Sequence, residues 1–174
     1  MTECKPCVTP MVERLKMTKA STVVKVDATL YRRIVGSLCY LVHMRPDIVF
    51  AVGYVSRFME DPREDHWAAV KRLLCYVKGT VDQRIVFPKI GRSRLQLTVF
   101  SDVDMAGDID GRWSTSSVLV FLVSAPISWL SLKQKVVALS TCETEYVAAT
   151  AACQAVWLRR LLGELTGVEA HHQH

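Results

Sequence analysis

The sequence has no uninterrupted apolar run long enough to cross a membrane. Its most apolar window, Ser116 to Leu132, is broken by serines and by Pro126, whereas a membrane-spanning helix needs about 20 apolar residues. The N-terminus, MTECKPCVTP, carries Glu3 and no apolar core of the length of a signal peptide. We therefore expect a protein that stays inside the cell, in the cytoplasm or the nucleus, and that is neither secreted nor inserted into a membrane.

Paired metal ligands are also scarce. Of the 6 cysteines, only Cys4 and Cys7 form a CxxC pair, and a zinc site needs a second half. The C-terminal tail offers His171, His172 and His174, but no second pair at standard spacing. We expect a loose N-terminal segment and a polar tail instead of a zinc site, and reduced thiols because there is no secretory signal.

Acidic residues are fewer than basic ones. The 174 residues include 17 Asp and Glu against 22 Lys and Arg, for a formal net charge of +5, and 50% of all residues are apolar. The apolar fraction is sufficient for the core of one ordinary domain or two small ones. The basic balance suits a nucleic-acid partner, but many proteins without such a partner are equally basic.

The first half of the chain has the periodicity of helices. Residues 1–26 are aperiodic, with at most one helical turn near 11–16, whereas residues 27–90 predict three successive helices: one capped by Asp27, one beginning near Pro46 and one ending at Gly79 in the C-cap position. The residues predicted to face the core are Leu30, Ile34, Leu38 and Leu41, then Ile48, Val52, Val55 and Met59, then Trp67, Val70, Leu74 and Val77.

The third predicted helix carries basic residues on its outer face. These are Lys71, Arg72 and Lys78. A solvated helix face and a set of phosphate contacts are both compatible with this pattern. The pattern alone does not choose between them, so weak nucleic-acid binding stays open.

The second half changes to the alternation of β-strands. Three strands are predicted at about 95–101, 114–123 and 126–132, followed by a helix at about 142–165 that begins after Thr141 and stops at Gly167. The predicted fold class is therefore α+β. The apolar stripe of the last helix is expected to consist of Tyr146, Ala149, Cys153, Val156 and Leu162.

Two stretches resemble a known family. The stretch from YRRIVGSLCYLV to RLLCYVKGT resembles the end of the reverse transcriptase of copia-type retrotransposon polyproteins, and FSDVDMAGDID together with ISWLSLKQKVVALSTCETEYVAA resembles the RNase H domain that follows it. The resemblance implies a thumb or connection region at 27–90, a truncated RNase H-like domain at 91–167 and a polar tail at 168–174. It covers nearly the whole chain.

The resemblance also implies candidate catalytic residues. Asp102, at the end of the first strand, matches the first metal-binding carboxylate of such RNase H domains, and Glu145, in ETEY, matches the second. Hydrolysis by two Mg²⁺ ions needs more carboxylates than two, and the family's two further aspartates are missing after the helix. Asp104, Asp108 and Asp110 are expected to shape the hairpin between the first two strands.

The same comparison predicts uncovered surfaces. A sheet without its further strands leaves the edge of the first strand unpaired, and the final helix loses a neighbour beside Trp157 and Leu161. Met105, Trp113 and Ser117 depart from the family pattern, and the first hypothesis places Trp113 on an interaction surface.

Three hypotheses follow. The first is a catalytically inactive, retrotransposon-derived protein that needs no cofactor and binds another protein or itself, as a homo-oligomer. The alternatives are a Mg²⁺-dependent nuclease acting on RNA/DNA hybrids, and a nucleic-acid binder that does not cleave.

Overall fold

The computed structural model describes residues 5–89, 95–104, 106–135, 137 and 140–167. The predictions about Cys4, Met105 and the histidines of the tail at 168–174 lie outside these residues. The chain divides into two compact units. One comprises residues 1–84 together with 107–112, and the other comprises 85–106 together with 113–174.

The first unit is helical. Helix α1 spans Ala28–Leu41, α2 spans Val49–Val55 between two short 3₁₀ turns at Pro46–Ile48 and Ser56–Phe58, and α3 spans Glu64–Gly79. Asp27 caps α1, since its carboxylate accepts from the backbone N–H groups of Thr29 and Leu30. The Asp27 cap was predicted from the sequence, and the structure confirms it.

The buried side of α1 differs from the predicted stripe. Tyr31, Val35 and Leu38 are buried, whereas Ile34 and Leu41 are only partly buried against the core. Tyr31 can lie in the core because its hydroxyl donates to the Val55 carbonyl at 2.9 Å. Tyr31 was not among the residues that the sequence pattern predicted to face the core.

A buried histidine organises the start of α3. His66 is fully buried and stacks on Phe58 with ring centroids 4.0 Å apart. Its Nδ1 accepts from the Arg63 backbone N–H at 3.1 Å, so Nε2 carries the proton that is donated to the Thr18 carbonyl at 3.1 Å. The prediction placed Trp67 in the core, but His66 takes that place and Trp67 is half-buried.

The N-terminal strap, residues 5–26, has no helix but is not loose. Met17 is 4% exposed, and its N–H donates to the Tyr54 hydroxyl at 3.1 Å. The Thr9 hydroxyl accepts from Arg72 at 2.8 Å, and the Val26 N–H donates to the Pro62 carbonyl at 3.0 Å. The expectation of a loose N-terminal segment is therefore wrong for the described residues, because polar groups of the strap find partners on the helices.

A charged network ties the start of α2 to the end of α3. Arg45, 8% exposed, donates to both carboxylate oxygens of Asp47 at 2.9 and 2.7 Å and to the carbonyl and hydroxyl of Thr80 at 3.0 and 2.6 Å. The Tyr76 hydroxyl also donates to Asp47 at 2.8 Å. Burial alone would raise the pKa of the Asp47 carboxyl, but these hydrogen bonds outweigh it and lower the pKa below its usual value.

The second unit is a sheet with a helix. Strands β1 (Leu97–Asp104), β2 (Thr115–Leu122) and β3 (Ala125–Lys133) form an antiparallel sheet in the order β1-β2-β3. Helix α4, Thr141–Thr166, packs against β1 and β2. Its N-cap is Ser140, not Thr141, and it ends at Gly167 with φ +67. The predicted α+β class is confirmed, and none of the described helices is long and apolar enough to cross a bilayer.

One cysteine corrects the expectation of reduced thiols. Cys75 is disulfide-bonded, whereas Cys7, Cys39, Cys142 and Cys153 are free thiols. The expectation rested on the missing secretory signal. A secretory signal indicates the compartment of a protein, but it does not show which cysteines lie close together in the folded chain.

Two helical glycines predict opposite effects of the same substitution. A Cβ built on Gly79 would lie 2.8 Å from Cβ of Pro6, whereas one on Gly36 meets nothing within 4 Å. We expect Gly79→Ala to lower the free energy of unfolding by about 1–3 kcal/mol through overpacking. Gly36→Ala, the matched control, should raise it by up to about 1 kcal/mol through helix propensity. Urea denaturation measures both, and an equal effect at the two sites would contradict the packing of Pro6 on α3.

The Asp47 network predicts a loss of stability in acid. Because the folded-state pKa of Asp47 is lowered, its contribution is complete above the unfolded pKa of about 3.9 and is lost as the pH falls through the lower folded value. Asp47→Asn should reduce stability at pH 7 and flatten its dependence on pH below about 4. Thermal unfolding between pH 7 and 2.5 tests this, and a variant whose pH profile parallels the parent chain would contradict it.

Candidate functional site

The aspartates of β1 lie on one face of the sheet. Asp102 is opposite Ser117 of β2 in the strand register, and Asp104 is opposite Thr115. Asp102 is exposed, and its carboxylate accepts from the N–H of the next residue, Val103, at 2.8 Å. An exposed carboxylate of this kind can bind a cation or face a protein partner.

The two later aspartates of the same stretch have structural contacts. Asp108 is 6% exposed, accepts from the Gly111 N–H at 3.2 Å and pairs with Arg57 at 3.7 Å. The Asp110 carboxylate accepts from the Lys19 N–H at 2.7 Å and from the Thr18 hydroxyl. Asp108 shapes its turn as predicted, but Asp110 binds the strap. Both belong to the helical unit together with residues 107–112.

The predicted partner of Asp102 is placed only by its backbone. Glu145 lies near the start of α4, and its side chain is not among those described, so the pairing of Asp102 with Glu145 stays a prediction. In the part of the chain that the structure describes, no three His, Cys, Asp or Glu side chains come together as metal ligands. Two Mg²⁺ ions need a larger set of oxygen ligands than these residues supply, so we derive no cleavage step from them.

The predicted basic residues of α3 are partly engaged within the chain. Arg72 donates to Thr9 of the strap at 2.8 Å, and the Lys71 ammonium lies 5.7 Å from the centroid of the Trp67 ring. Lys78 is exposed in the last turn of α3. A phosphate contact by Arg72 would therefore compete with its hydrogen bond to the strap.

The outer face of α4 carries several exposed apolar residues. Tyr146, Cys153, Val156, Trp157 and Leu165 are exposed, with exposed fractions of 74% for Tyr146, 59% for Trp157 and 73% for Leu165, and the charged residues Arg160 and Glu164 are exposed beside them. Three of them, Tyr146, Cys153 and Val156, belong to the apolar stripe that was predicted for this helix. Leu161 is partly buried. The periodicity identified a helix with an apolar side but could not show which side the sheet would cover.

Trp113 is less accessible than its sequence context suggested. It is half-buried just before β2, and the Lys133 ammonium of β3 lies 5.3 Å from its ring centroid. The cation covers one face of the indole and contributes about 0.5–1 kcal/mol at such a site. One face of the Trp113 ring is therefore occupied within the chain, which reduces the ring surface that a partner can contact.

A second exposed segment was missed in the sequence. Residues 83–89 form no helix or strand, and within them Val86 and Phe87 are 69% and 67% exposed. The sequence signal was present, since Ile85, Val86 and Phe87 are strand-forming residues that precede Pro88. Because this run is short, it was assigned to the end of the predicted helical region at 27–90.

Two aspartates of the same stretch predict contrasting stability effects. Asp102→Asn should change the free energy of unfolding by less than about 0.5 kcal/mol, because its carboxylate is exposed. Asp108→Asn should cost about 1–3 kcal/mol, because it leaves the Arg57 guanidinium, 13% exposed, beside a neutral group. Chemical denaturation of both variants provides the comparison. Equal costs would show that Asp108 is not a structural anchor.

Long polyproteins are among the curated proteins similar to this chain. The chain is 44% identical over 173 residues to the Retrovirus-related Pol polyprotein from transposon RE2 of Arabidopsis thaliana, covering 99% of this chain and 12% of that protein. It is also 44% identical over 173 residues to the corresponding polyprotein from transposon TNT 1-94 of Nicotiana tabacum, covering 95% and 13%. The chain thus spans about an eighth of the length of these relatives.

A shorter relative matches over most of its own length. The Secreted RxLR effector protein 161 of Plasmopara viticola is 45% identical over 130 residues, which are 74% of this chain and 90% of that protein. No family model matches the chain, and no solved structure does. The polyprotein matches cover both units from end to end, and the chain belongs to the family of copia-type retrotransposon Pol polyproteins, of which it represents one segment.

Proposed function

We propose that this chain acts through protein contacts and not by cleaving nucleic acid. The contact surfaces are the outer face of α4 and the outer edge of β1. The observation that carries the proposal is the outer face of α4, where Tyr146, Trp157 and Leu165 are each more than half exposed. Soluble monomers rarely leave contiguous apolar patches of this kind in water.

The energetics favour a covered α4. Full burial of one large apolar side chain contributes about 1.5–3 kcal/mol, and aromatic residues such as Tyr146 and Trp157 are the types that dominate interface energies. Cys153 and Val156 continue the same face between them. A partner that covers this face therefore gains more than one that contacts the charged surface of the helical unit.

The described carboxylates support the inactive reading. Asp102 and Asp104 share one face of β1, but among the residues that the structure describes no three His, Cys, Asp or Glu side chains come together as metal ligands, and two Mg²⁺ ions need a larger set of oxygen ligands. The basic residues of α3 support a nucleic-acid partner only weakly, because Arg72 is engaged with Thr9.

The shorter relative supports action outside a polyprotein. This chain covers 90% of a protein that is named as a secreted effector, so a segment of about this extent exists as a protein of its own.

A cleavage assay tests the inactive reading. We expect no Mg²⁺-dependent cleavage of a labelled RNA/DNA hybrid by the full chain, because the described residues bring no set of three metal ligands together. Gel analysis of the hybrid provides the readout. Cleavage that disappears in Asp102→Asn would overturn the proposal and establish a nuclease, whereas cleavage that persists in that variant would identify a contaminant.

Substitution on α4 tests the contact surface. Trp157→Glu should weaken self-association at least about tenfold, because it places a charge in the centre of the apolar face. Tyr40→Glu is the matched control, since Tyr40 is a 79% exposed aromatic residue of the helical unit. Sedimentation equilibrium over a range of concentrations measures both. A parent chain that stays at its monomer mass of 19.6 kDa throughout would exclude self-association, and equal effects of the two variants would exclude α4 as its surface.

A further inference from the structure

The outer edge of β1 is available to another strand. Within the described residues the sheet order places β1 at an edge, paired only with β2. Phe100 lies in the middle of this edge strand and is 58% exposed. Its ring makes a T-shaped contact with the ring of Phe121, with the two centroids 5.9 Å apart. Backbone N–H and C=O groups along such an edge favour the addition of an extended segment.

The chain also carries a segment suited to strand addition. We name Arg84–Pro88 the exchange segment. It forms no strand in the described part of the chain, and its Val86 and Phe87 are among the most exposed apolar residues. Ile85, Val86 and Phe87 have strong β propensity, and Pro88 closes the segment at a position where an added edge strand can end.

The exchange segment matches β1 in one antiparallel register. In that register the cation of Arg84 meets the carboxylate of Asp102, and Val86 meets the exposed ring of Phe100 on the same face. The full set of opposed pairs is Arg84 with Asp102, Ile85 with Ser101, Val86 with Phe100, Phe87 with Val99, and Pro88 with Thr98. The charged residues Arg84 and Asp102 therefore oppose each other, and apolar side chains oppose each other in two pairs, Val86 with Phe100 and Phe87 with Val99, whereas Ile85 and Pro88 lie opposite the small polar residues Ser101 and Thr98.

We propose that the exchange segment of a second copy adds to the edge of β1 as a fourth strand. The described structure leaves the chain's own segment unpaired and its own β1 edge open, so every copy presents both halves of the contact. Reciprocal exchange between two copies closes a two-fold dimer in which neither β1 edge remains open. The inference rests on the proposed function, because it identifies the partner of one of the two proposed contact surfaces, the outer edge of β1.

Disulfide trapping between two single variants tests this contact. Directly opposed residues of antiparallel strands have Cα atoms about 4.5–5.5 Å apart, within the range that a disulfide spans. We expect an equimolar mixture of Val86→Cys and Phe100→Cys chains, oxidised under native conditions, to give a dimer whose peptide map contains a bond between residues 86 and 100. Each variant alone lacks one of the two cysteines and is a built-in control for the native thiols.

A neighbouring variant tests the register. Phe87→Cys mixed with Phe100→Cys should give little of the corresponding bond, because residue 87 is opposite Val99 on the other face. Charge reversal provides a second measurement that leaves Phe100 intact. Arg84→Glu should lower the dimer fraction about two- to fivefold, and adding Asp102→Lys should restore it.

Three outcomes would overturn the inference. One is a bond between residues 86 and 100 that forms within a monomeric double variant but not in the mixture, since the segment would then close its own sheet. Another is equal trapping at residues 86 and 87, and the last is no trapping in any combination. In each case Trp157→Glu still reports separately on the α4 surface, so failure of the exchange is distinguishable from failure of the proposed function.

Discussion

Backbone hydrogen bonding is the constraint on which the sheet unit depends. In the described sheet only β2 has neighbours on both sides, and β1 and β3 each keep one open edge. Helix α4 packs against β1 and β2, but the apolar residues Tyr146, Trp157 and Leu165 on its outer face stay exposed. A three-stranded sheet with one helix is near the lower limit of independent stability, and the same features that limit its stability are the ones a partner can satisfy.

The helical unit pairs two of its buried polar side chains internally. Arg45 binds Asp47 and Thr80, and His66 uses both ring nitrogens. Burying a polar group without such partners costs about 1–3 kcal/mol. The strap supplies several of these partners and covers the core around Met17. This contrast between the two units supports the proposal that the interaction surfaces lie on the sheet unit.

Local signals in the sequence predicted the elements well. The Asp27 cap, the break at Pro46 and the change from helical to strand periodicity all depend on neighbouring residues, and the structure contains each of them. Contacts between distant residues were not predictable in this way. Gly79 was expected as a C-cap, but the cap is Thr80 and Gly79 approaches Pro6. The predicted apolar stripe of α4 includes the exposed residues Tyr146, Cys153 and Val156. Periodicity shows which side of a helix is apolar, but only the packing of the helix shows whether that side faces the sheet.

Asp102 connects the two readings of the sheet unit and makes them exclusive. As a metal ligand it needs its oxygen lone pairs for a divalent cation, and an adjacent guanidinium repels that cation. As a partner of Arg84 it uses the same lone pairs for hydrogen bonds to the added strand. Strand exchange at β1 therefore removes the first carboxylate of any hybrid-cleaving site. In the proposed dimer Asp102 is unavailable to a metal ion, so a chain that cleaves must keep the edge free of the exchange segment.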